Sequence, residues 1–253
     1  MSATRRPAKL LLRQPRDDCA ARLFCFPYSG LGASMYRNWP TRIGDIEICL
    51  IQPPGRENRM RDPHFGTYAE LAEEVVAYVE PFLDRPFGLF GHCGGALAAF
   101  ATALLLADTP LPDPACLFVS SQVAPHEGPF GRFLSMSDDE LGVELAQLTR
   151  AMGAEPQPQL LALSLRVLRA DVTANQRYRL DAPVPLPGRL CAIGWSDDPE
   201  IRPEQMAGWS AYAAPDRFIR TVLPGEHYEF LSAPDVLLDE LSSGLRPATT
   251  EVR

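Results

Sequence analysis

The residues best placed by type and spacing to do chemistry run Phe87-Gly88-Leu89-Phe90-Gly91-His92-Cys93-Gly94-Gly95-Ala96. A strand-like apolar run ends in Gly-x-Cys-x-Gly and passes straight into a small-residue helix. That pattern sets a nucleophile on a tight strand-to-helix turn, with cysteine where such turns usually carry serine. Residues flanking a side chain held in this way must lack bulk, which Gly91 and Gly95 provide, while Ala96, Ala98 and Ala99 let the helix approach a sheet. The N-terminus of that helix offers positive potential and the free N–H of Gly94 to a developing oxyanion. The chemistry expected is covalent catalysis through Cys93. The competing reading is a Gly-rich turn around a buried structural cysteine.

A nucleophile on such a turn needs an acid and a base further along the chain. Leu223-Pro224-Gly225-Glu226-His227-Tyr228 places a histidine just after the last strand-like run, and Ile193-Gly194-Trp195-Ser196-Asp197-Asp198-Pro199 places acids after the run before it. His227 is expected to take the Cys93 proton, and Asp198 to orient the ring and stabilise its charged form. Chemistry alone leaves Asp197 open as the acid, and either aspartate could instead be a turn former or helix cap. A second oxyanion donor is expected in the Gly-rich loop Phe26-Pro27-Tyr28-Ser29-Gly30-Leu31-Gly32, at the backbone N–H of Ser29. That loop lacks a phosphate-binding lysine and any GxGxxG, so a nucleotide role ranks well below. His92 is expected to pack beneath the turn, and His64 and His126 to be structural or solvated.

These residues require elements to position them. Strand-like runs are Leu23–Phe26, Ile46–Ile51, Phe87–Phe90, Cys116–Ser120, Leu190–Ile193 and Phe218–Leu223. Helical periodicity fills Tyr68–Leu83, Gly94–Ala107, Pro203–Ala213 and Pro234–Leu245. The alternation predicts a mostly parallel sheet covered on both faces. From Pro125 to Pro187 no strand is expected. Helices are expected there at Asp138–Met152, with Ser137 and Glu140 as a capping box, and at Gln159–Arg179. We read residues 125–187 as a helical lid inserted in one domain spanning residues 16–245, with frayed ends over the first fifteen residues and after Gly244.

Composition narrows the function. The 253 residues are 46% hydrophobic and 22% charged, enough for a large core, and the formal charge of −8 argues against a nucleic-acid partner. The longest apolar run, Ala96–Ala107, is too short for a membrane span, and Met1–Leu12 does not read as a signal peptide. Cys19, Cys25, Cys49, Cys93, Cys116 and Cys191 form no CxxC pair and read as reduced thiols, which predicts a cytoplasmic protein.

From Arg22 to Leu231 the chain resembles type II thioesterases of polyketide and nonribosomal peptide synthesis, in the α/β-hydrolase superfamily. The resemblance rests on Phe26-Pro27-Tyr28-Ser29-Gly30, on Gln52-Pro53-Pro54-Gly55-Arg56-Glu57-Asn58-Arg59, on the turn at Cys93, on Asp198-Pro199 with Trp209 downstream, and on Pro224-Gly225-Glu226-His227. The Pro-Gly-Arg-Glu-x-Arg segment is the most specific of these. The resemblance implies an α/β-hydrolase fold, Asp198 as the acid, and Ser29 and Gly94 as oxyanion donors. It implies removal of acyl groups from the phosphopantetheine arm of an acyl or peptidyl carrier protein, the arm belonging to the substrate and no cofactor being needed. The family carries serine where this chain has Cys93, and usually Gly-Gly-His where it has Gly225-Glu226-His227.

The cysteine changes the energetics. An acyl-cysteine is itself a thioester, so acylation is nearly isoenergetic and the acyl group stays activated. Hydrolysis of carrier-protein or CoA thioesters is the leading expectation, with transfer or cyclisation onto an amine, hydroxyl or thiol as the alternative, and a non-catalytic acyl or carrier-protein binding module as the second alternative. Carrier proteins are usually acidic, so Arg56, Arg59, Arg61, Arg166, Arg169, Arg177 and Arg179 are candidate docking residues. Phe130, Phe133, Leu160 and Leu168 are expected to shape the acyl pocket.

Overall fold

Apolar residues on both sides of a strand demand cover on both sides, and β1 (Ala21–Phe26) shows it: Phe24 and Phe26 enter one core, Leu23 and Cys25 the other. A computed structural model describes residues 10–246. Its remaining strands are β2 (Arg42–Ile43), β3 (Ile46–Leu50), β4 (Phe87–His92), β5 (Cys116–Ser120), β6 (Arg189–Trp195) and β7 (Phe218–Leu223). They form one sheet in the order β2-β3-β1-β4-β5-β6-β7, parallel except for β2 against β3. The mostly parallel sheet is the one expected from the alternation, and its architecture is the α/β-hydrolase fold that the resemblance implies. β2 escaped the sequence reading. It is two residues long, and Gly44-Asp45 turns it back onto β3 with Gly44 at φ +57°.

The helices follow their punctuation. α1 (Tyr68–Val79) starts at a Thr67–Glu70 capping box. It stops short of Leu83 because Pro81 lacks an N–H and tightens Glu80–Phe82 into a 3₁₀ turn. α2 (Gly94–Ala107) is apolar all round and buried against the sheet. Between β5 and β6 lie α3 (Asp138–Ala151), with the expected Ser137–Glu140 capping box, and α4 (Pro158–Arg177). α5 (Asp235–Leu245) packs on the opposite face from α1 and α2. The α-helix expected at Pro203–Ala213 is a 3₁₀ helix, Pro203–Tyr212. Its buried residues Met206, Trp209 and Tyr212 recur every three positions, which a three-residue turn aligns on one face.

The expected fraying over the first fifteen residues is corrected where the structure describes them. Leu10 and Leu11 are buried, and the segment pairs antiparallel with the end of β3 through Leu12 N to Leu50 O (3.1 Å) and Gln52 N to Leu10 O (2.6 Å). Two adjacent leucines bury enough apolar surface to hold it down. Residues 1–9 and 247–253, also part of the expected frayed ends, lie outside the described residues. Among the described residues no helix is long and apolar enough to cross a membrane.

Candidate active site

The turn between β4 and α2 is as tight as its glycines suggest. Cys93 lies at φ 52°, ψ −122°, a left-handed conformation that costs an L-residue about 1–3 kcal/mol. A Cβ on Gly91 would lie 2.1 Å from the Gly95 carbonyl oxygen, and one on Gly95 would lie 2.7 Å from that of Pro27. Cys93 N donates to Ser120 O at 2.8 Å, which ties the turn to β5. His92 is buried as expected, stacked on Phe230 at 3.9 Å with Nδ1 2.9 Å from Ser120 Oγ, and burial pushes its pKa well down, leaving it neutral.

The loops after β6 and β7 meet behind Cys93. His227 Nδ1 lies 2.9 Å from Asp198 Oδ2. Asp198 is otherwise saturated: Oδ2 accepts from Ser121 Oγ (2.7 Å), and Oδ1 from the amides of Glu200 (2.8 Å) and Ile201 (3.0 Å). Burial opposes its charge, but His227, Ser121 and Ile201 outweigh burial and bring the carboxyl down to about 2. Asp197 instead is exposed and bonds Ser196 Oγ at 2.7 Å, so the geometry brings Asp198 and not Asp197 to the histidine. Burial also opposes a charged His227, yet Asp198, Cys93 and Glu200 together lift its pKa from 6.5 to about 10. With Nδ1–H given to Asp198, the buried Nε2 is left unpaired beside Cys93. Such pairs are commonly loose before substrate arrives.

Ser29 and Gly94 also come together. A Cβ on Gly94 would fall 2.1 Å from Ser29 Oγ, and among the described residues neither the Ser29 nor the Gly94 amide donates to a protein acceptor. Two free amides beside a thiol can receive a carbonyl oxygen as it gains charge.

The Pro-Gly-Arg-Glu-x-Arg segment gains a structural meaning. Arg56 bonds Leu31 O (3.0 Å) and pairs with Asp171 of α4, Glu57 accepts from Ser34 Oγ (2.5 Å), and Arg59 bonds Gln52 O (3.1 Å), Asp62 (2.8 Å) and Glu74 (2.6 Å). The segment braces the Ser29 loop from outside. Arg56 and Arg59 are each only 5% exposed and fully paired, so they are removed from the candidate docking residues; an arginine with internal carboxylates has no charge to offer a partner. Arg61, Arg166, Arg177 and Arg179 are exposed, and Arg169 is half-buried against Asp138. His64, read as structural or solvated, is bound to Asp171 at 2.7 Å, and His126 is 3.0 Å from Tyr212 Oη.

A small cavity beside Cys93 is lined by Ser29, Phe133, Val172, Asn175 and Glu200 among others. Of the four residues expected to shape the acyl pocket, only Phe133 reaches it. Leu168 packs on Gly30, Phe130 joins the α1–α2 core, and Leu160 is exposed over an outer groove. A strong periodicity locates a helix face without locating the cavity it overlooks. Glu200, two residues past Asp198, escaped the sequence reading. Its carboxylate pairs with Arg132 Nε at 2.8 Å and lies 3.7 Å from His227 Nε2. Burial raises its pKa, with Asp198 adding and His227 and Arg132 opposing.

The thioesterase domain family matches residues 21–244. The chain is 31% identical to linear gramicidin dehydrogenase LgrE of Brevibacillus parabrevis, over 95% of this chain and 94% of that one. It is 30% identical to thioesterase PikA5 of Streptomyces venezuelae, over 85% and 77% of the two chains. Among solved structures, RedJ, a thioesterase from the prodiginine biosynthetic pathway of Streptomyces coelicolor, superposes with a TM-score of 0.76 at 33% identity, covering 90% of this chain and 87% of that one.

Proposed function

The chain belongs to the thioesterase domain family, and from that premise we propose that it hydrolyses acyl thioesters on the phosphopantetheine arm of a carrier protein through an acyl–Cys93 intermediate. It is a thioester hydrolase, and the pathways its relatives serve support a carrier-bound substrate. The dehydrogenase in one relative's name does not carry over, since this chain has no GxGxxG.

The observation that carries the proposal is the His227–Asp198 pair at 2.9 Å, set behind a cysteine held at φ 52° at the N-terminus of α2. Cys93 Sγ, its proton already held by His227 Nε2, attacks the thioester carbonyl carbon. The carbonyl oxygen gains charge under the Ser29 and Gly94 amides. Collapse breaks the bond to the pantetheine sulfur, which leaves with the proton from His227. Water then gives a proton to Nε2 as its oxygen attacks acyl–Cys93. Expulsion of the Cys93 sulfur releases the carboxylic acid and restores the pair. Asp198 keeps Nε2 directed at the reacting atoms throughout. The cysteine favours a second reading, transfer of the acyl group to an amine, because acyl–Cys93 is as activated as the incoming thioester. An acidic carrier protein would meet the exposed Arg166 and Arg177 on α4 and Arg179 just beyond it.

The test is product partition across a panel of acyl pantetheines, with and without added amine. We expect free acid as the dominant product, and loss of turnover in Cys93→Ala. Amide as the dominant product would replace hydrolysis by transfer, and turnover retained by Cys93→Ala would remove Cys93 as the nucleophile.

A further inference from the structure

Asp171 lies in the middle of α4, far in sequence from every residue of the catalytic proposal, and is 3% exposed. Its carboxylate takes four bonds from three separate segments. Gly30 N and Arg56 Nη1 donate to Oδ2 at 2.7 and 2.8 Å, and Arg56 Nη2 and His64 Nε2 lie 2.8 and 2.7 Å from Oδ1. Burial opposes the charge, but Arg56 and His64 overcome it and bring the carboxyl down to about 2. The residue therefore stays ionised, and its charge is balanced locally by Arg56.

The partners it gathers are what make it informative. Gly30 follows Ser29, sits at φ +78°, and would carry a Cβ only 2.9 Å from that of Leu168 on the same helix. Only glycine fits, and α4 closes directly on it. With the Gly30 N–H fixed on Asp171, the plane of the Ser29–Gly30 peptide is fixed too. Arg56 holds the other end of the turn by bonding Leu31 O at 3.0 Å. The Ser29–Gly30 and Leu31–Gly32 peptides are thus pinned, and the Ser29 amide one step upstream is left free. Ser29, Gly94, Arg56 and Asp171 line one small cavity. A buried ion pair is a poor device for stability alone, since apolar packing of the same volume usually does as well. Here it delivers orientation.

We propose that Asp171 is a positioning residue for the oxyanion site, with Arg56 and His64 orienting its carboxylate. The site is then complete only while α4 is seated on the Ser29 loop. This rests on the reading above that the Ser29 amide receives the oxyanion. Substrate entry that lifts α4 would withdraw the Gly30 acceptor, and reseating would restore it, which couples closure over the acyl group to the ability to turn it over.

The experiment compares wild type, Asp171→Asn, Arg56→Lys and His64→Gln in three readouts. These are kcat and KM on an acyl pantetheine, affinity for an acyl trifluoromethyl ketone, and the rate of Cys93 alkylation by iodoacetamide. Asparagine keeps the shape but turns an amide N–H toward a donor. We expect kcat for Asp171→Asn to fall roughly 10- to 100-fold, less than outright loss of a donor, with KM within about 2-fold. Affinity for the ketone, whose adduct carries an oxyanion, falls in parallel, and alkylation, which forms none, is unchanged. Arg56→Lys follows the same pattern and carries the prediction if Asp171→Asn fails to fold; His64→Gln, which keeps a donor, retains most activity. Unchanged kcat in folded Asp171→Asn or Arg56→Lys overturns the inference, as does a loss of alkylation equal to the loss of turnover. A wild type that neither alkylates at Cys93 nor turns over thioester overturns the catalytic reading as well, so the two failures are distinct.

Discussion

At the residue scale, the site separates two kinds of cysteine. Burial pushes the thiols of Cys25, Cys49, Cys116 and Cys191 up, that of Cys116 to about 12, whereas Cys93 faces an imidazole held charged by Asp198. In a Cys19→Ser background, which removes the one partly exposed bystander, iodoacetamide should label Cys93 alone, and His227→Gln should slow it at least about tenfold. Equal labelling with and without His227 would uncouple the pair. Glu200 adds to the charge on the ring, so Glu200→Gln should lower the midpoint of an NMR titration of His227; an unmoved midpoint contradicts the 3.7 Å contact as an electrostatic one. The sign for stability follows from linkage. The raised pKa of His227 favours the folded state below the unfolded value of 6.5, and that contribution fades as pH rises through about 10. Asp198, lowered to about 2, favours folding above its ordinary value of 3.8 and loses that contribution as pH falls. The unfolding free-energy gap between wild type and His227→Gln should therefore shrink from pH 6.5 toward 10 in urea titrations, and a gap that widens would reverse the assignment. Cys93 and His227 were legible because an elbow and a strand-end loop leave short sequence traces, whereas spacing left Asp197 and Asp198 open and the geometry brings Asp198 to the histidine. Glu200 and Asp171 were not legible, because nothing local marks which carboxylate a distant loop will meet.

At the element scale, glycine spacing at the elbow is a packing requirement. Gly95→Ala forces a methyl into backbone carbonyls of the Pro27 loop, which have no soft side chain to yield. It should cost about 1–3 kcal/mol in unfolding free energy and reduce turnover. A neutral change would mean that the α2 N-terminus can move away from the Ser29 loop. Boundaries were read less well than elements. Pro81 ends α1 early, and Met206, Trp209 and Tyr212 recur every three residues, a 3₁₀ period within the segment expected to be an α-helix. Both signals were present in the sequence, and in each the local rule was stronger than the windowed pattern. The segment Arg56–Arg59 shows the opposite limit. Its charges suggested a surface, but each is consumed by partners on other elements, a fact no spacing reveals.

At the scale of the whole molecule, the parallel sheet and its two covered faces were readable because buried strands alternate with helices throughout. The anchored N-terminal segment was not, since three leucines between Lys9 and Arg13 look like the edge of a tail. Leu10→Ala should lower unfolding free energy by about 2–5 kcal/mol, the cost of a fully buried leucine, seen as a lower urea midpoint at constant slope. A loss under about 0.5 kcal/mol, the scale of surface changes, would mean the segment is dispensable. The insertion between β5 and β6 meets the rest of the fold through Asp171, Leu168, Val172 and Phe133 around Cys93, so the molecule places a helix of that insertion over its reacting atoms.

The most direct measurement is rapid-quench mass spectrometry of the protein mixed with an acyl pantetheine, followed by peptide mapping. An adduct of the acyl mass is expected on the peptide containing Cys93, forming before free acid appears and decaying at the rate of turnover, and absent from Cys93→Ala. Free acid released with no adduct at any time, or an adduct on another residue, would contradict the acyl–Cys93 intermediate.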